Sequence, residues 1–124
     1  MRGIAFVFFV TAVIYVILGM AWGIQMSASE DHELSGAHAH LNLVGWATTA
    51  LFGVYYHIVP KAGEAMLAKL HYVVATAGVV LMVPGIVIAI QGGNPMLAII
   101  GSFLTAASML IFLYTVITTR VQAA

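Results

Sequence analysis

Five histidines carry most of the chemistry this 124-residue sequence can offer, and two of them stand two apart in the run His38-Ala39-His40. On a helix that spacing turns about 200°, so the two imidazoles point to nearly opposite faces. They cannot comfortably share one metal. Each can take its own, with the helix as a wall between two flat cofactors. Neutral imidazole is an axial ligand of haem iron, and a polar group inside a membrane span costs enough to imply a function. Helical periodicity stacks Leu41, Asn42, Gly45, Thr49, Phe52 and Tyr56 below His38, where the small residues 45 and 49 would leave room for a planar ring. His40 looks over Val44, Ala47, Leu51 and Tyr55, a more ordinary apolar surface. The plainer reading leaves both histidines in the wet headgroup zone without a ligand.

The other three histidines offer less. His57 and His71 flank a short connector and read as interfacial residues. His57 lies roughly 25 Å along the helix from His40 at about 1.5 Å per residue, so those two cannot share a site. His32, in Glu30-Asp31-His32-Glu33, reads as solvated. No further histidine stands at the level of the pair, and although Met20, Met26 and Met96 do, methionine is common filler in apolar helices. A six-coordinate haem would therefore take its second axial ligand from another copy of the chain. The expectation is a homo-oligomer with haem at subunit interfaces.

The elements that must position the pair follow from composition. The chain is 63% hydrophobic and only 6% charged, and its mean hydropathy is +1.09. A soluble domain this small could not hide so much apolar surface, so lipid must be the solvent for most of its length. The formal net charge is zero, which gives no footing for nucleic acid. With no cysteine, disulfides, iron–sulfur clusters, thiolate zinc sites and covalently attached haem are excluded.

A span needs about 20 apolar residues. Four stretches free of Asp, Glu, Lys and Arg qualify: Gly3 to Ile24, Leu41 to Val59, Tyr72 to Ile90 and Met96 to Ile117. The first is longer than a signal-peptide core and reads as a retained helix. Together these predict an all-α integral membrane four-helix bundle, one domain over 1–124, with helices at about 3–24, 38–59, 70–90 and 96–118. Pro60 should end the second helix, and Pro84-Gly85 should kink the third. Gly19 and Gly23, and the stripe Gly45, Thr49 and Gly53, would let helices approach closely.

Every basic residue (Arg2, Lys61, Lys69 and Arg120) falls at the N-terminus, the second connector or the C-terminus, whereas the first connector is acidic. Basic residues favour the cytoplasmic side, so both termini are expected there and the His38/His40 pair near the outer, periplasmic face.

The second span also resembles a known family. His38-Ala39-His40, then Gly45-Trp46, Phe52-Gly53, Tyr55-Tyr56 and Pro60, is similar to the tenth helix of the catalytic subunit of haem–copper oxidases, closest to the C-family (cbb-type) oxidases and nitric oxide reductases. Lys69-Leu70-His71-Tyr72 with Ala75-Thr76-Ala77-Gly78 looks like the start of the eleventh helix, and the outer spans are compatible with the ninth and twelfth. The resemblance implies that His38 holds a high-spin haem and His40 a low-spin haem, both haem b; Gly45 and Trp46 of the motif, with Asn42 and Thr49 from the helical face, are the residues expected around them. It also implies a prokaryotic inner membrane.

The family's catalytic subunit has three arcs of four helices, and this chain resembles one. The copper-binding histidines, the cross-linked tyrosine and the partner ligand of the low-spin haem belong to other arcs, so copper is not supported within one chain. A homotrimer would imitate the full plan, and a homodimer is the next choice.

The leading function is a membrane b-type haem protein in electron transfer, with a redox partner, or in diatomic gas binding. If it is an enzyme, it is an oxidoreductase. The alternatives are a cofactor-free structural or assembly subunit and an outer-face copper- or zinc-binding protein using Glu30, Asp31, His32, Glu33 and the His38/His40 pair.

Overall fold

A computed structural model describes residues 1–120, and every regular element among them is helical. The order is α1 (Gly3–Ser29), α2 (Ser35–His40), a π-helix π1 (Leu41–Thr48), α3 (Thr49–Ile58), α4 (Pro60–Glu64), α5 (Met66–Ile90) and α6 (Met96–Thr118). Three of these, α1, α5 and α6, are long and apolar enough to cross a membrane. Large apolar side chains such as Ile14, Leu51, Phe103 and Leu110 lie exposed on the outside, as residues that meet lipid rather than water would.

Several boundaries differ from expectation. α1 runs past Ile24 to Ser29 and stops where Glu30 turns into the left-handed region at φ 58°. The acidic connector is thereby cut to a few residues. Beyond it the helix resumes at Ser35, three residues before His38. Pro60 does end the long second stretch: Val59 leaves helical geometry, and Pro60 opens the short α4, where its missing N–H removes no helical bond. α5 starts at Met66, ahead of the expected 70, and stays helical through Pro84.

The backbone is helical without a break through α2, π1 and α3, but its middle is wound as a π-helix. Two hydroxyls follow the wider turn: Thr48 Oγ1 donates to the Leu43 carbonyl at 2.7 Å and Thr49 Oγ1 to the Val44 carbonyl at 3.4 Å, each five residues back. π turns are rare and occur frequently at functional sites.

Small residues set the packing. At Gly53 an added Cβ would meet the Ala5 carbonyl of α1 at 3.0 Å, and at Gly19 it would collide with the Asn42 carboxamide. α1 thus lies against π1 and α3 with almost no side chain between the backbones. The α5–α6 pair is seamed likewise, with Gly85 against Ala98 and Gly101 against Met82. An aromatic core joins the two pairs. Phe8, Phe52 and Tyr56 are each at most 2% exposed, and Tyr72 and Phe112 pack around them. A second cluster, Tyr15, Leu41, Val79 and Val83, lies beside π1 with Trp22, Val44 and Trp46 against it.

Candidate functional site

The two histidines of the H-x-H run fall in different surroundings because α2 is helical at both positions. His38 is half-buried and turned toward α1. Its Nε2 lies 2.9 Å from the Gly19 carbonyl oxygen and 3.1 Å from the Asn42 carboxamide nitrogen, and its ring meets Trp22 edge-on at 5.9 Å. A carbonyl only accepts, so Nε2 must carry the proton and donate to Gly19. A protonated Nε2 cannot also accept from the Asn42 amide nitrogen, so that 3.1 Å contact is a hydrogen bond only with the carboxamide turned to offer its oxygen. Gly23 makes this possible, since a Cβ there would stand 3.2 Å from Nε2. In this pose Nε2 has no lone pair free for a metal.

His40 is exposed on the other face. Its Nδ1 lies 2.7 Å from the Gly36 carbonyl one turn back. The same reasoning puts the proton on Nδ1, which fixes the tautomer and leaves Nε2 as a bare lone pair directed away from the backbone. Metal-binding histidines are commonly held this way, by donation from the other ring nitrogen to a carbonyl. On successive turns below His40, Val44 and Thr48 line a cavity of about 240 Å³ shared with Thr49, Ala75, Val79 and Thr105.

The remaining residues expected at the site sort onto the inner face. Asn42 sits between His38 and Gly19. The room expected at Gly45 is filled by the Tyr15 ring, which a Cβ would meet at 3.2 Å. The flat group occupying that slot is therefore a phenol of α1. Thr49 is buried at 3% exposure with its hydroxyl returned to its own helix. Trp46 is half-buried and meets Phe9 of α1 edge-on at 6.5 Å.

His71 corrects the sequence expectation most clearly. It is not an interfacial residue but wholly enclosed, 0% exposed, with Phe52 at 4.4 Å and Phe8 at 5.1 Å between ring centroids and Phe112 stacked at 5.7 Å. Its Nδ1 pairs with the Tyr56 hydroxyl at 2.7 Å, while Nε2 has no partner. The signal was present in the sequence: His71 and Ala75 share a face of α5, and Phe52 and Tyr56 share a face of α3. His57, by contrast, is exposed and lines a separate cavity, so it does not meet His71.

No group of three or more His, Cys, Asp or Glu side chains among the described residues could hold a metal ion. A site of the kind imagined around His32 and its acidic neighbours would need such a group. Haem makes a smaller demand, because the porphyrin supplies four nitrogens and the protein needs to offer only one or two imidazoles. Comparison with protein-family models, characterised proteins and solved structures finds no match. The likeness to the oxidase helix rests on the residues quoted above.

Proposed function

We propose that this chain is a b-type haem protein of the prokaryotic inner membrane that transfers electrons or binds a diatomic gas, with His40 as the axial ligand of haem b. The observation that carries the reading is the His40 ring itself, anchored through Nδ1 to the Gly36 carbonyl at 2.7 Å and exposed on the outside of the helix. Haem would supply a one-electron couple or an open iron position. The chain's residues hold the imidazole in one tautomer and set it on a rigid helix.

The architecture belonging to this reading is a four-helix membrane bundle in which α2, π1 and α3 act as one further span. Their six, eight and ten residues are enough to cross about 30 Å of hydrocarbon at about 1.5 Å each. The termini lie in the cytoplasm and the H-x-H pair at the periplasmic end, following the placement of the basic residues.

His40 faces outward, so a second imidazole for the same haem would come from another copy of the chain. A homotrimer repeats the three-arc plan of the haem–copper oxidases, and a homodimer sharing one haem is the alternative assembly. His38 enters the coordination of a second haem only after its ring leaves the Gly19 carbonyl. In the proposal its first task is to tie the second span to α1.

The test is haem content and visible spectrum of purified wild type and of His40→Ala. Wild type should show a Soret band that shifts on reduction, and His40→Ala should lose it while keeping its helical content. A colourless, folded wild type reconstituted with haem would refute the reading.

A further inference from the structure

At the opposite end of the molecule from His40, a cavity of about 450 Å³ opens where the start of α1 meets the end of α3 and α4. That volume is within the roughly 300–1,000 Å³ usual for small-molecule sites. Its wall carries both signs of charge, Arg2 and Glu64, with the His57 imidazole also lining it. The first turn of α1 opens without a side-chain cap, and its residues Gly3, Ile4 and Ala5 line the same cavity, so amide donors stand beside Arg2. The remaining wall, from Met1, Tyr56, Pro60 and Gly63, is largely apolar. The cavity also lies at the very end of a long apolar helix, the level at which hydrocarbon gives way to headgroups.

From this combination we infer a headgroup site for a zwitterionic glycerophospholipid with a primary ammonium, namely phosphatidylethanolamine. Arg2, the first amides of α1 and His57 take the phosphate, Glu64 takes the ammonium, and the apolar wall takes the start of an acyl chain. A simple anion would suit Arg2 but would be repelled by Glu64. A headgroup carrying a cation a few bonds from its phosphate suits both. The inference rests on the helices crossing a bilayer and is independent of haem.

The experiment is native mass spectrometry of the full chain in mild detergent with equal amounts of phosphatidylethanolamine, phosphatidylglycerol and phosphatidylcholine. Wild type should retain phosphatidylethanolamine in preference to both others. Arg2→Gln should weaken that retention by about tenfold or more, the low end for a charge-assisted hydrogen bond. Glu64→Gln should abolish the preference over phosphatidylglycerol. The wild-type preference is read without any variant, so a variant that fails to fold does not spare the inference. Equal retention of all three lipids by wild type, or preference for phosphatidylglycerol, would overturn it. Displacement of the lipid by an excess of soluble phosphoethanolamine or of inorganic phosphate would overturn the assignment to a lipid.

Discussion

Two imidazoles a single residue apart illustrate how much a helix decides. His38 and His40 share a sequence context, yet one spends its Nε2 proton on the Gly19 carbonyl and the other keeps Nε2 open by donating from Nδ1. The opposite facing was legible from the spacing alone. The difference in tautomer was not, because it depends on which backbone carbonyl comes within reach. His71 makes the same point more strongly. Its sequence position beside a connector reads as interfacial, whereas its ring is sealed among Phe8, Phe52 and Phe112 and paired to Tyr56. Removing the Tyr56 hydroxyl would strand a buried imidazole nitrogen at a cost of about 1–3 kcal/mol. Tyr56→Phe should therefore lower stability to denaturant in detergent. The Tyr56→Phe/His71→Phe double variant should recover most of that loss, since no polar group is then left unpaired. Equal losses in the single and double variants would show that the pair contributes nothing.

Among the elements, α1, α5 and α6 could be read from hydropathy because lipid imposes length and composition on any helix that crosses it. The π winding of Leu41–Thr48 could not. The segment packs against α1, with Tyr15 filling the slot at Gly45 and Asn42 pressed on Gly19, contacts that hydropathy does not report. The glycines rank by what a methyl group would meet. Gly101→Ala would drive a Cβ into the Met82 backbone and Gly85→Ala into that of Ala98, neither of which can step aside. Both should cost about 1–3 kcal/mol. Gly19→Ala meets a carboxamide side chain that can move, and should cost less. Gly36→Ala, with Ile90 Cδ1 at 3.7 Å, should be close to neutral or stabilising. Midpoints of unfolding for the four variants test the order directly. A Gly36→Ala loss as large as that of Gly101→Ala would contradict the packing described here.

At the scale of the molecule, the proposed orientation places the acidic connector outside and Lys61 in the cytoplasm. The absence of native cysteine makes this easy to check. Asp31→Cys should react with a membrane-impermeant thiol reagent added to intact cells, and Lys61→Cys only after permeabilisation. The reverse pattern would invert the topology. Assembly is the property least legible in one chain. The proposed function needs a second ligand that one chain does not offer at that level, and His40 is exposed on the outside of its helix. Shared ligation predicts that haem and oligomer are lost together, so dilution in detergent to the monomer should release haem or convert its spectrum from low to high spin.

In the proposed function His40 presents a free imidazole nitrogen to haem iron. The most direct measurement is the haem-to-chain ratio of wild type beside His40→Ala, both purified from haem-supplemented cells and both confirmed as helical. Wild type should carry stoichiometric haem b with a reducible Soret band, and His40→Ala should lose nearly all of it. A wild type that folds without porphyrin, or a His40→Ala variant that retains it in full, would contradict the account.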